Sequence, residues 1–358
     1  MESNIREYPS PPGELEGASV WYGSLIKSSK SWICSFSKTE KSELDSAMRS
    51  IKAKGIDIIN IRKEDFFLPT LSSKFENIKQ ELLNGRGFIL IRGIPVAEYS
   101  IKETAIIYYG IGMHFGLSLP QNAKGHVLGH VKDIGLDHAD HNVRIYQTTA
   151  RQTYHTDSCD LVFLLCLQPA MTGGLSSIVS SVTIYNEMLQ RRPDLLKILF
   201  HPIETDRRGE VPDGLKGFYR MPVFNWFAGN LCTLYTRRYI ESARRFDDVP
   251  PLTKTQLEAL DLFDELANDP FLNLNMEFKP GDIQILHNHQ ILHDRTAYQD
   301  WPEIDHKRHL LRLWVSATDG RPLPETFVDR YGSIKIGSAM RGGTKVLGQK
   351  RKAPLDAE

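Results

Sequence analysis

Cysteine is scarce. Only Cys34, Cys159, Cys166 and Cys232 occur in a chain of 358 residues. They form no C-x-x-C pair and no spaced framework, which excludes a disulfide scaffold and argues against structural zinc. They read as reduced thiols of a cytosol-like compartment. Net charge is absent too, because 44 Lys and Arg balance 44 Asp and Glu. A chain so balanced is not built to neutralise nucleic-acid phosphates. No run approaches the ~20 consecutive apolar residues that span a bilayer, and the first residues lack the apolar core of a signal peptide. The chain therefore reads as soluble and cytoplasmic, with no nucleic-acid or membrane partner. Internal repeats are missing as well. What is present is globular composition, 41% hydrophobic and 25% charged, enough for a large core.

Residues 1–30, rich in Pro, Gly and Ser without a period, read as an N-terminal arm. Ser37 and Glu40 then form a capping box, in which each side chain accepts from a free backbone N–H. Leu44, Ala47, Met48 and Ile51 follow at helical spacing, and Gly55 stops the helix. Residues 56–61 read as a short β-branched strand, 73–83 as a helix and 88–91 as a strand. Ser100 with Glu103 opens another helix. From about residue 143 the pattern turns to β, with strands expected over 144–157, 161–167, 175–180, 272–278, 282–287 and 310–317. A helix is expected over 182–191, and Thr253 with Gln256 starts another. Residues 205–250 read as an irregular excursion and 331–358 as a solvated basic tail.

The expected class is mainly β with flanking helices, an α+β arrangement forming one domain over 31–330. Its N-terminal α/β part ends near 142, its β core runs over about 143–320, and the insertion at about 205–250 is lid-like.

Two H-x-D pairs occur, His138/Asp140 and His155/Asp157. The first lies in a polar stretch without period and reads as solvent-facing. The second ends an extended run, and on a strand residues i and i+2 point to one face, so imidazole and carboxylate converge. A third donor has to come from elsewhere, and His287, His289 and His293 all qualify. Two His and one carboxylate on one face leave three metal positions open, which suits Fe(II) and O2 chemistry; zinc is the rival. Arg308 and Arg312 stand four apart on an expected strand, so both point inward if one does. A buried guanidinium needs an anion, and its planar fork suits a carboxylate. The alternative is a half-exposed outward face.

His155-Thr-Asp157, Gly173-Gly174-Leu-Ser176, Pro280-Gly-Asp282, Asn288…Leu292-His293 and Arg308…Arg312 follow one another in fixed order. This series resembles the Fe(II)/2-oxoglutarate-dependent oxygenases of the taurine dioxygenase (TauD/TfdA), clavaminate synthase-like group, over roughly residues 85–320. The stretches 151–182 and 288–314 resemble fungal members most. The resemblance implies a double-stranded β-helix, or jelly-roll, core. It also implies His155, Asp157 and His293 as metal ligands, with His287 and His289 left to lining or surface roles. Arg308 matches the partner of the 2-oxoglutarate C5 carboxylate, and Ser176 a hydroxyl donor to the same group, where relatives often carry Thr. Arg312 matches an arginine that reaches either the C1 end or a substrate anion.

The cofactors implied are Fe(II), 2-oxoglutarate and O2, with ascorbate as an activator. The implied reaction is hydroxylation, desaturation, epoxidation or ring closure of an amino acid, small carboxylate or secondary-metabolite intermediate, releasing succinate and CO2. Asn122 (with Gln121), Tyr146, Thr153, Phe224 and Trp226 are pocket candidates. A homo-oligomer is compatible with this reading. The competing classes are an inert jelly-roll binding protein and a demethylase of a macromolecule; retained ligands speak against the first and zero net charge against the second.

Overall fold

The computed structural model describes residues 9, 12–137, 139, 143–346 and 348–357. Two sheets face each other. The larger runs Ile33–Ser35, Phe88–Arg92, Ile283–His287, Leu161–Gln168, His309–Ala317 and Gly116–Ser118, with Gly129–Val131 also on the His309–Ala317 strand. The smaller runs Leu274–Met276, Ser176–Ser180, Ile291–Arg295 and Gln152–His155.

Strand periodicity sorts the side chains into layers. Phe88, Leu90, Val162, Cys166, Leu310 and Trp314 point inward and meet Ile178, Leu274, Met276 and Ile291 of the smaller sheet. Their neighbours Ile89, Ile91, Phe163, Leu165, Leu311 and Leu313 point outward onto the helices Lys38–Ala53, Leu71–Asn84 and Ile101–Met113. The smaller sheet is backed by Ser181–Arg191, Pro193–Ile198 and Lys254–Asn268. This is the jelly-roll core with flanking helices that the sequence implies. The capping boxes at Ser37, Ser100 and Thr253 are all formed.

Several expectations need correction. Residues 56–61 form no strand; Ile58–Asn60 is a 3-10 turn, in which Ile58 and Ile61, three apart, bury on one side. The expected strand over 144–157 is broken by a second such turn, Ile145–Gln147, and only Gln152–His155 pairs. Residues 205–250 are not irregular. Phe218–Met221 pairs with Ile203–Asp206, Phe224–Phe227 pairs with Asn230–Thr233, and the helix Arg237–Ser242 follows.

The N-terminal segment is docked rather than loose: Trp21 is buried against Phe88, its N–H donates to Thr183 Oγ1, and Asn186 brackets Leu15 with two hydrogen bonds. The C-terminal segment is docked too. Val127 N–H donates to the Lys352 carbonyl, and the Arg351 guanidinium reaches the Ser118 carbonyl and the Tyr109 hydroxyl. His138 and Asp140 lie outside the described residues. Among the described residues no helix is long and apolar enough to cross a membrane.

Candidate active site

His155 and His293 are direct partners on adjacent antiparallel strands, so their side chains leave the same face of the smaller sheet. The ring centroids stand 4.1 Å apart. Asp157 follows in the loop after the His155 strand. One carboxylate oxygen lies 3.9 Å from His155 Nε2 and the other 3.7 Å from His293 Nε2. Ligand atoms of all three fall within 4.8 Å of one another, a three-donor face able to hold a metal ion.

The surroundings tune each donor. His155 Nδ1 lies 2.9 Å from the Thr153 carbonyl, which fixes the tautomer that leaves Nε2 as the ligand atom. Gln152 Nε2 lies 2.8 Å from that same Nε2, beside the atom that would take the metal. Burial first, then the neighbouring His155, pushes His293 down to about 3, so its imidazole stays neutral. Asp157 is held below the ordinary carboxylate range. Burial pushes it up, but Arg312, His293 and His155 outweigh this, together with a 2.8 Å hydrogen bond from Trp314 Nε1.

Asn288 does what no histidine in its stretch does. Its Oδ1 accepts from Asp157 N–H at 2.7 Å, while its Nδ2 donates to the carbonyls of Asp157 (2.7 Å) and Cys159 (3.0 Å). His287 and His289 are fully buried, not at the surface. His289 Nε2 lies 2.8 Å from Asp160, whose carboxylate also takes the buried Arg341. Asp160 in turn accepts from Ala317 N–H, so this ionic cluster fastens the loop carrying Asp157 to the core.

Arg312 points inward between Leu310 and Trp314, as the strand period requires. Its Nε donates to Gln121 Oε1 at 2.7 Å, its Nη1 lies 3.9 Å from Asp157, and the rings of Tyr146 and Trp314 flank it. Arg308 is 3% exposed, stacked on Tyr298, and its Nη1 is buried with no partner among the described residues. Gly174 makes room for it. A Cβ there, at φ +65°, would stand 3.0 Å from Arg308 Nε. Ser176 Oγ exchanges hydrogen bonds with Gln284.

Sequence reasoning missed Arg295. It lines a small cavity beside the triad with Ser176, His293 and Arg312, donates to the Thr148 and Ala150 carbonyls, and leaves Nε buried without a partner among the described residues. Burial and the neighbouring Arg308 lower it to about 10. Its only signal was its place two residues after His293, on the same strand face.

A larger cavity of about 300 Å³ opens over His155 and Asp157. Tyr146, Thr153 and Gln121 line it, and the 205–250 insertion supplies one wall through Glu210, Tyr219, Thr236 and Tyr239. The other pocket candidates lie elsewhere. Asn122 sits in a tight turn, bonded to His126, and faces a different small cavity. Phe224 is fully buried among Tyr185, Phe200 and Phe263, and Trp226 packs on that same core. An apolar strand in an insertion had its own helices to cover, and its aromatics went there.

Residues 52–314 match the family described as "Taurine catabolism dioxygenase TauD, TfdA family". The chain belongs to this family of dioxygenases, whose enzymes work with Fe(II) and 2-oxoglutarate. It is similar to FR-33289 synthase of Streptomyces rubellomurinus, 30% identical over 325 residues covering 89% of this chain and 95% of that protein. Taurine hydroxylase-like protein SAT17 of Stachybotrys chartarum is 29% identical over 311 residues, 84% of this chain and 79% of that protein. Fungal likeness is thus matched by a bacterial relative of at least equal identity. The fold matches an asparagine oxygenase solved with Fe(II), 2S,3S-3-hydroxyasparagine and succinate, at a TM-score of 0.62 and 14% identity over 79% of this chain and 93% of that one.

Proposed function

We propose that the chain oxidises a C–H bond of a small, anionic organic molecule held in the 300 Å³ cavity, with Fe(II) on His155, Asp157 and His293. The observation that carries this reading is the convergence of two imidazoles and one carboxylate, with His155 and Asp157 lining that cavity and His293 the small one beside it. The donor set suits ferrous ion, which keeps open positions for a chelating cosubstrate and O2. The orphaned Arg308 Nη1 suits a carboxylate of 2-oxoglutarate, and Ser176, on the same small cavity as His293, adds a hydroxyl donor. When bound, iron and 2-oxoglutarate supply the oxidising power, with succinate and CO2 as by-products.

The chain's own residues hold the geometry. Trp314 orients the Asp157 carboxylate, the Thr153 carbonyl fixes the His155 tautomer, and Asn288 pins the intervening backbone. Arg312 borders both the large cavity and the small one beside the triad. That position suits either the C1 end of 2-oxoglutarate or a substrate anion. The relative solved with hydroxyasparagine and succinate supports a small-molecule substrate.

The test is an anaerobic titration of the protein with Fe(II) and 2-oxoglutarate, followed by the visible charge-transfer band of the chelate. His155→Ala, Asp157→Ala and His293→Ala should each remove the band and succinate release. An intact band in any of the three would sink the assignment.

A further inference from the structure

Arg208 is 6% exposed, and its Nε and Nη1 are buried without a hydrogen-bond partner among the described residues. Its backbone sits at φ +56°, a region arginine seldom occupies. The guanidinium lies 5.5 Å from the centroid of the Tyr239 ring, and that of Arg144 lies at the same distance from the same ring. Tyr239 and Arg144 both line the large cavity. Arg330 joins that lining beside Tyr219, donating to the Gly343 carbonyl, and no carboxylate pairs with it among the described residues.

The nearby acids are taken. Asp206 is held by Arg245 and Ser242, Asp329 by Arg207, and Glu210 is shared by Arg144 and Thr344. Among the described residues, Glu210 is the one carboxylate paired with any of these three guanidiniums, and the same wall adds Arg237 and Arg238 against Glu241, so cations outnumber carboxylates around Tyr239. The tyrosine rings offset only part of the cost of burying them. Burial, with Arg238 and Arg144 close by, lowers the Arg208 pKa and outweighs Tyr239 and the already paired Asp206.

We infer that Arg144, Arg208 and Arg330, with Tyr219 and Tyr239, form a subsite for a phosphoryl group of the substrate, a phosphate monoester or a phosphonate. A planar carboxylate is satisfied by one forked guanidinium. Three guanidiniums and two phenols exceed what two oxygens can accept. A phosphoryl group offers three acceptor oxygens and close to two negative charges, which matches the local excess. The inference rests on the oxygenase reading for calling the occupant a substrate; the anion site itself does not depend on iron.

Phenyl phosphate is the probe, titrated calorimetrically into protein with and without Fe(II) and 2-oxoglutarate under anaerobic conditions, against benzoate as control. Phenyl phosphate should bind, with benzoate weaker by about tenfold or more. Arg208→Gln and Arg330→Gln should each weaken phenyl phosphate by about tenfold or more, as expected when one member of a buried charged contact is lost. The affinity for 2-oxoglutarate should stay unchanged. Arg208→Gln should also unfold at or above the wild-type temperature, because it removes an unpaired buried charge, and Arg208→Lys should recover part of the binding.

Equal binding to wild type and both variants, no binding at all, or displacement of 2-oxoglutarate by phenyl phosphate would overturn the subsite. So would a fall in unfolding temperature for Arg208→Gln, which would assign that residue to the scaffold. The charge-transfer band is read in the same samples. Its failure to form would strike the oxygenase reading, while the calorimetric result still decides the anion site.

Discussion

Replacing Asn288 with alanine is the sharpest probe of how this metal site is held. Asn288 is fully buried and makes three hydrogen bonds to the backbone of Asp157 and Cys159. The Cys159 carbonyl keeps a second donor, the Tyr331 hydroxyl at 3.3 Å. Truncation therefore orphans two groups, the N–H and C=O of Asp157. At about 1–3 kcal/mol for each buried group left unsatisfied, the loss should be about 3–4 kcal/mol. For a chain of 358 residues that is roughly a 4–5 °C fall in Tm, given an unfolding entropy near 2.1 cal/mol/K per residue. Because the loop released is the one that aims Asp157, Fe(II) affinity should fall about 10–100-fold, the usual range for losing a support of a metal ligand. Thermal unfolding of the metal-free protein reads the first quantity and anaerobic Fe(II) titration the second. A variant within about 0.5 kcal/mol of wild type (the ordinary range for a surface substitution), with unchanged Fe(II) affinity, would refute the clamp.

Four further outcomes follow from the same packing. Arg308→Lys should raise the 2-oxoglutarate KM about tenfold or more, since a point charge cannot replace a planar fork. Gly174→Ala should act in the same direction by pushing a Cβ against Arg308 Nε; both are read from succinate release against 2-oxoglutarate concentration. Arg341→Met breaks a fully buried pair with Asp160 and should cost about 3–5 kcal/mol in urea unfolding. His309, pushed down to about 3 by burial and by His130, refuses a proton that the unfolded chain accepts near pH 6.5. Its contribution is whole above that pH and is lost at about 1.4 kcal/mol per unit below it. Urea unfolding of His309→Gln between pH 6 and 4 should therefore show a flatter decline than wild type, and parallel curves would contradict this.

What could be read from the sequence was whatever is local or periodic. Ser37 with Glu40 caps a helix through contacts three residues apart, whereas the spacing of Arg308 and Arg312 left their direction open until the structure turned Arg312 inward beside Trp314. The H-x-D pair pointed to a shared face, although the strand stops at His155 and Asp157 reaches that face from the following loop, pinned by Asn288; the glycines around 173 gave space that only later found its occupant, Arg308. Residues 56–61 misled because β-branched composition does not distinguish a strand from a tight turn wedged beneath a helix. Phe224 and Trp226 misled because apolar aromatics fit a pocket wall and a core equally well in one dimension. Arg295, Arg208 and Arg341 were invisible for another reason. A lone arginine carries no motif, and each is defined by partners, or by a lack of them, far along the chain.

The Asp160–Arg341 pair spans 181 residues of sequence. At about 5–20 residues per second of synthesis, Arg341 leaves the ribosome on the order of ten to forty seconds after Asp160. During that interval every strand of the two facing sheets can already have been made, yet the loop bearing Asp157 encloses a carboxylate whose cationic counterpart does not exist. Until then Asp160 has His289 and the Ala317 N–H as partners, without the buried guanidinium that completes the cluster. Full fastening of the Asp157 loop thus requires a residue from the last part of the chain that never touches the metal ligands.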